Sequence, residues 1–369
     1  MSNDVSFLDL KSGYLELRDE IDDAMRRVAE SGWYIGGPET KRFERDFAAY
    51  CEARHCVGVG NGLDALHLVL KAMDVGPGDE VIVASNTFIA TLLAVSMVGA
   101  TPVLVEPDPA THNLDPRLVE AAITLRTKVI LPTHLYGQPA DLDPILDIAR
   151  AHGLLVLEDA AQAHGARYKG RPIGAHGHAV AWSFYPGKNL GALGDGGAVT
   201  TDDSAIADRV RMLGNYGSQQ KYVNAVRGVN SRLDPLQAAI LAVKLRHLDR
   251  WTAHRRHIAA FYLDRLAGTA LVLPHVPNWA EPAWHLFVVQ TPERNAMMAM
   301  LAERGVQTLV HYPIPPHRQQ AYADLGLGKG TFPIAERLAD TVLSLPIGPH
   351  LSMEQAERVA AAVRAASPS

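Results

Sequence analysis

Between residues 55 and 201, short apolar runs alternate with stretches whose apolar positions recur every three or four residues. Seven runs, at 55–59, 80–84, 102–105, 128–132, 154–158, 179–184 and 197–201, have the length and bounding turns of strands. The segments near 63–73, 87–98, 115–123 and 141–152 carry helical spacing instead. Strands and helices in alternation require right-handed crossovers, which build a mostly parallel sheet covered on both faces. No helical pattern separates 179–184 from 197–201, which predicts a strand pair or an antiparallel member there.

The flanks read differently. Leu17, Ile21, Ala24, Met25 and Val28 predict a helix that stops at Gly32, and Phe43, Phe47 and Tyr50 mark a second. Leu236, Ile240, Val243, Leu245 and Leu248 predict one long helix running past Trp251 towards Leu266. A strand from Trp284 to Gln290, a helix near 293–304 and an alanine-rich closing helix after Gln355 follow. The expected organisation is a large domain over 1–249 and a smaller α/β domain over 250–369. The N-terminal helix can belong to either.

Composition narrows the function. The 369 residues are 20% charged and 47% hydrophobic, an ordinary globular balance. A net charge of −5 without basic clusters argues against nucleic acid. Cys51 and Cys56 are too few for a zinc cage or a disulfide framework, which fits a reducing cytoplasm. The N-terminus lacks the regions of a signal peptide, and no apolar run reaches the roughly 18 residues of a membrane span. His176 with His178, and His254 with His257, lack the acids or cysteines of zinc motifs, so no metal is expected.

Two residues carry most of the chemistry. Lys188 lies at the mouth of an apolar segment, just before the glycine-rich run 191–197. Asp159 ends the apolar strand 153–157. A nucleophilic lysine needs a partly desolvated seat, and a carboxylate facing a ring nitrogen is the other half of pyridoxal phosphate chemistry. Each alone has a plain explanation, a turn lysine or a helix cap; the pair in this order favours the cofactor. Gly60-Asn61-Gly62-Leu63 joins a strand to a helix, where free N–H groups suit a single phosphate as well as a tight turn. The third glycine of a dinucleotide fingerprint is absent, and so is a Walker sequence. Ser183, at a strand end, can serve the same phosphate, and the Phe88 ring can stack on a cofactor or pack in the core.

Together these segments resemble the DegT/DnrJ/EryC1/StrS family, sugar aminotransferases of fold type I, over nearly the whole chain. The resemblance rests on Asn61-Gly62-Leu63-Asp64-Ala65-Leu66, Asn86-Thr87-Phe88, Glu158-Asp159-Ala160-Ala161-Gln162, Ser183-Phe184-Tyr185-Pro186-Gly187-Lys188 and Asn230-Ser231-Arg232. It implies an α/β large domain with a mostly parallel seven-stranded sheet, a smaller C-terminal domain, and pyridoxal 5'-phosphate as cofactor. Lys188 would hold the cofactor aldehyde, Asp159 the ring nitrogen, Gln162 the ring hydroxyl and Phe88 the ring face. Gly62, Leu63 and Ser183 would hold the phosphate, completed by Asn230 of a neighbouring subunit in a homodimer.

His134-Leu135-Tyr136-Gly137-Gln138-Pro139 and the segment from His311 to His317 are similar to members that aminate C3 of dTDP-3-keto-6-deoxyhexoses. That implies L-glutamate as donor, a dTDP-linked keto sugar as acceptor, and sugar contacts from Tyr185, His311 and Tyr312. Lys221 and Arg227, in a polar loop, are candidate partners of the sugar diphosphate, or simply exposed charges. Gly214 and Gln290 depart from the basic residues common in relatives. The remaining alternatives are amination at C4, a keto-cyclitol acceptor, or a pyridoxal phosphate module with a regulatory role; no helix-turn-helix region supports the last.

Overall fold

The structure is a computed structural model and describes residues 4–367. Its central sheet contains β1 (His55–Val59), β2 (Glu80–Ala84), β3 (Thr101–Val105), β4 (Thr127–Leu131), β5 (Leu155–Asp159), β6 (Ala179–Ser183) and β7 (Gly197–Thr201). Each lies within one residue of its expected limits. The spatial order is β1-β7-β6-β5-β4-β2-β3. Neighbours from β3 to β6 are parallel, whereas β7 runs antiparallel to both β6 and β1. The missing helix before β7 is therefore a reversal of direction.

Alternation along each strand divides the core between two faces. Ile82 of β2 and Trp182 of β6 point to one side, where Phe43, Phe47 and Phe184 pack. Val81, Val83, Ala179 and Ala181 point to the other, against Leu66, Val69, Leu92 and Val95. All five residues of β2 and of β7 are buried, although Glu80 opens β2 and Thr200 and Thr201 close β7.

Helices around the sheet include α1 (Arg18–Ser31), α2 (Pro38–Tyr50), α3 (Gly62–Ala72), α4 (Ile89–Met97), α5 (Ser204–Gly214) and α6 (Pro235–Leu245), and the expected helix at Leu142–His152 packs on β4 and β5. Gly32 ends α1 in the left-handed conformation at φ 66°. The buried stripe of α1 meets Ala239, Ile240 and Val243 of α6, together with Trp251.

The single long helix expected after residue 234 is instead two, α6 and α7 (Leu248–Arg265). At the junction, Arg246 and His247 donate backbone N–H groups three residues back, to Val243 and Lys244, and the last turn tightens. Their side chains then reach Glu20 of α1, at 2.5 and 3.3 Å. Leu245 and Leu248 keep helical spacing across the break, which hides it from the hydrophobic pattern. Two smaller differences occur. The helix expected at 115–123 ends at Val119 and tightens into a 3₁₀ turn. The strand expected from Trp284 begins only at Phe287, because Trp284 adopts φ 50°.

Beyond α7, β8 (Phe287–Gln290) pairs antiparallel with β9 (Val342–Leu345). Ile258, Tyr262, Phe287, Leu301, Val359 and Val363 form a further core there, supplied by α7, α8 (Arg294–Glu303) and α9 (Met353–Ala366).

The aromatic cluster beneath the sheet yields a stability test. Phe47 is fully buried, stacked on Phe43 at 5.5 Å and edge-on to Trp182 at 5.2 Å. Phe47→Ala should cost about 3–5 kcal/mol, read as a lower urea midpoint by tryptophan fluorescence. A midpoint unchanged from wild type would show that this cluster does not anchor α2.

Candidate active site

Parallel sheets gather ligands at the carboxyl ends of their strands, and the expected chemistry converges there. A cavity of about 1190 Å³ opens at that edge, bordered by Gly62, Phe88, Asp159, Ser183, Lys188 and Tyr312.

Asp159 closes β5 and is 7% exposed. Its Oδ1 accepts from the Ala161 N–H at 3.1 Å and its Oδ2 from the Thr91 hydroxyl at 2.9 Å. Burial pushes this carboxyl up; the Ala161 and Thr91 donors and the Lys188 ammonium work against that. Its backbone is fixed as well, donating to Pro132 and accepting from His134. Glu158, one residue earlier, pairs with His134 Nε2 at 2.9 Å, and neither side chain is exposed. The Ala140 N–H donates to His134 Nδ1, so the imidazole proton sits on Nε2 and is donated to Glu158. A buried polar clamp thus holds the strand end that presents Asp159.

Lys188 faces the same cavity. Burial lowers its ammonium to about 8, partly offset by Asp159. The nearby imidazoles are neutral near pH 7. Burial, Lys188 and Arg255 hold His285 well below its ordinary value, and its Nδ1 lies 3.2 Å from Asn189 Oδ1. Burial, with Lys188, lowers His311 to about 4, and its Nδ1 lies 2.8 Å from the Ser344 hydroxyl.

Another part of the cavity wall suits an anion. Helix α3 starts at Gly62, and Asn61 caps it by accepting from the Asp64 N–H at 2.8 Å. The Gly62 and Leu63 N–H groups precede the first helical bond, so they are free to point at a ligand. A Cβ on Gly62 would lie 2.6 Å from Ser183 Cβ. Only glycine lets the helix start come this close to β6 and bring the Ser183 hydroxyl beside those amides. The Ser231 hydroxyl braces the loop, accepting from the Gly60 N–H at 2.9 Å and donating to Asp64 at 2.6 Å.

Phe88 caps α4 with its ring 49% exposed, which is not how a core phenylalanine sits. The ring stands 5.0 Å from that of Tyr312. Gln162 Oε1 accepts from the Tyr136 N–H at 2.6 Å, and its Nε2 donates to Tyr312 Oη at 3.1 Å. Tyr185 and His311 complete this wall. Lys221 and Asn230 do not border the cavity of their own chain. The Lys221 ammonium lies over the Tyr222 ring at 5.0 Å, and Asn230 is exposed, bridging to Asn215. Arg227 is also exposed.

The two departures have physical reasons. A Cβ on Gly214 would meet the Ser231 carbonyl oxygen at 2.7 Å, so no larger residue fits there without a shift. Gln290 is away from the cavity, with its Nε2 3.1 Å from His112 Nε2. Thr91, Thr133, His285 and Arg255 were not singled out from sequence, and Thr87 entered only within the segment Asn86-Thr87-Phe88. A threonine at a strand end or in a first helical turn carries no pattern of its own.

The residues fit pyridoxal phosphate: an amide cradle for one phosphate, a buried carboxylate, a weakly basic lysine and an exposed aromatic ring share one cavity. Comparison with known proteins agrees. The DegT/DnrJ/EryC1/StrS aminotransferase family model matches residues 15–364, and the chain belongs to this family. It is 61% identical over 98% of its length to the erythromycin biosynthesis sensory transduction protein EryC1 of Saccharopolyspora erythraea, covering 99% of that protein. It is 56% identical over 98% of its length to the dTDP-3-amino-3,4,6-trideoxy-alpha-D-glucose transaminase of Streptomyces venezuelae, covering 95% of it. The crystal structure of S. venezuelae DesV in complex with a ketimine intermediate superposes with a TM-score of 0.98 at 55% identity, covering 99% of this chain and 98% of that one.

The seat of Lys188 gives a direct expectation for the cofactor-free protein. Neutral amine accumulates as pH rises past the lowered value, so Lys188 acylation should be half-maximal near pH 8 by peptide mass spectrometry. A midpoint near the ordinary 10.5 would contradict the desolvated seat.

Proposed function

We propose that this enzyme, with pyridoxal phosphate as cofactor, transfers an amino group from L-glutamate to C3 of a dTDP-3-keto-6-deoxyhexose. The product is a dTDP-3-amino-3,6-dideoxyhexose, a building block of deoxyamino sugars in antibiotic biosynthesis. One observation carries the reading: Lys188 and Asp159 face a single cavity that Gly62 and Leu63, at the start of α3, also border. The similarity to the S. venezuelae dTDP-3-amino-3,4,6-trideoxy-alpha-D-glucose transaminase supports a dTDP-linked sugar and C3.

Each residue has a defined task. The Gly62 and Leu63 amides, with Ser183, would hold the phosphate. Asp159 would hold the ring nitrogen and favour its protonated form. Phe88 would cover the ring. When bound, the cofactor supplies an electron sink for negative charge developing at the substrate carbon. Lys188, lowered to about 8, can be neutral near working pH; its Nζ removes the proton from the donor carbon and returns it. The neutral imidazole of His311 and the hydroxyls of Tyr312 and Tyr185 border the space left for the hexose. The reaction runs in two halves with one shared site, so donor and acceptor should show ping-pong kinetics.

A second copy of the chain fits the remaining candidates. Lys221 and Asn230 sit on an exposed segment with Tyr222 87% and Val223 56% exposed. An exposed stretch at Trp33, Tyr34 and Ile35 adds apolar surface. A two-fold dimer would cover such surfaces and bring Asn230 to the partner's phosphate and Lys221 to its sugar diphosphate. Action in the cytoplasm follows from the expected substrates. No helix among the described residues is long and apolar enough to cross a membrane.

Assays with glutamate and matched 3-keto and 4-keto dTDP-hexoses should give amine only at C3. Amination at C4 alone would replace this reading with the C4 alternative. Lys188→Ala should lower turnover by roughly 10²–10⁴-fold or more while the protein stays folded; turnover at the wild-type rate would refute its role. Asn230→Ala should also be impaired. Mixing the two variants should restore activity through one intact site per mixed dimer, and no restoration would place Asn230 outside the partner's site.

A further inference from the structure

We propose that Thr91 is a positioning residue, the end of a buried chain of threonine hydroxyls that keeps the Asp159 carboxylate ionised and turned towards the cavity. The inference deepens the aminotransferase reading and rests on it. Thr91 is fully buried, in the first turn of α4, and its Oγ1 lies 2.9 Å from Asp159 Oδ2. Thr87 Oγ1 lies 2.8 Å from Thr91 Oγ1 and 3.0 Å from Thr133 Oγ1. Thr87 is 1% and Thr133 6% exposed, so water hardly competes for these hydroxyls.

The chain has one sense of polarity. An ionised carboxylate only accepts, so Thr91 must direct its proton to Asp159. The Thr91 oxygen then accepts from Thr87, and Thr87 from Thr133. Hydroxyls aligned this way polarise one another, which strengthens the last bond in a site of low dielectric. A helical threonine usually turns its hydroxyl back to a carbonyl of its own helix. Here the hydroxyl leaves the helix and crosses to the end of β5.

The opposing oxygen is fixed by the Ala161 N–H at 3.1 Å. Both carboxylate oxygens therefore have a donor from a different element, which sets the rotation of the carboxylate plane. Burial favours the neutral acid, which could not hold a proton on a ring nitrogen. The two donors oppose that tendency, and only the hydroxyl can be removed by changing a side chain. Valine has nearly the shape of threonine and no hydroxyl, which makes it the appropriate replacement.

The test uses the holoprotein reconstituted with pyridoxal phosphate carrying ¹⁵N in the ring. Wild-type protein should retain the cofactor through dialysis and show a protonated ring nitrogen; failure of wild type on both counts would undo the cofactor assignment rather than the role of Thr91. Thr91→Val should move the nitrogen resonance towards its unprotonated position and weaken cofactor binding roughly tenfold, as expected for a lost hydrogen bond to a charged group. Thr91→Ser should restore both, because it keeps the hydroxyl. Thr91→Ala is a second hydroxyl-free variant should valine prevent folding. Wild-type resonance and affinity in the hydroxyl-free variants would overturn the proposal. So would a serine variant that behaves like them, since that outcome assigns the effect to packing.

Discussion

A carboxylate held in a nearly water-free place, pushed up by burial and opposed by local donors, is the constraint on which this structure depends. Asp159 sits at the end of a central strand with 7% of its surface exposed, where desolvation alone would neutralise it. Local donors and the ammonium of Lys188 oppose that rise. Much of the neighbouring architecture serves that end. The buried Glu158 and His134 pair fixes β5 and the turn after β4 from behind, and α4 delivers its first turn to Oδ2 from the side. The same field acts in reverse on Lys188, whose burial brings its neutral form within reach of ordinary pH while Asp159 resists the change. Two groups of opposite charge are thus each pushed towards neutrality by burial and held back by the other.

The sheet topology explains why these groups meet. Parallel strands β2 to β6 send their carboxyl ends to one edge, so Asp159 and Ser183 arrive there from adjacent strands. Reversal of β7 then returns the chain across the sheet between β6 and β1. The close contact of Gly62 with Ser183 ties the start of α3 to the same edge. The proposed phosphate seat and the Asp159 carboxylate are therefore tied to adjacent strand ends of one sheet.

Much of this was legible in the sequence, and the reasons are specific. Val81, Ile82, Val83 and Ala84 of β2 are buried on both faces and appear as an unbroken apolar run. Lys188 and Asp159 stood out because a lysine and an acid beside apolar strands are chemically costly unless used. The junction of α6 and α7 was invisible, since Leu245 and Leu248 keep helical spacing while the backbone tightens and Arg246 and His247 turn to Glu20. Thr91 and Thr133 were equally hidden, and Thr87 counted only as part of Asn86-Thr87-Phe88. Each is unremarkable in its own segment, and they become one unit only when α4, β4 and β5 are brought side by side. Gly214, which looked like a departure from relatives, has its cause in the Ser231 carbonyl that crowds it.

The central claim is that the side chain at 188 carries the cofactor while the carboxylate at 159 faces it from within the same cavity. The most direct measurement is borohydride reduction of the protein reconstituted with pyridoxal phosphate, followed by peptide mapping. The account predicts one covalent pyridoxyl adduct, on Lys188, with loss of the visible absorption band. An adduct confined to other lysines, or a protein that remains colourless and unmodified, would contradict it.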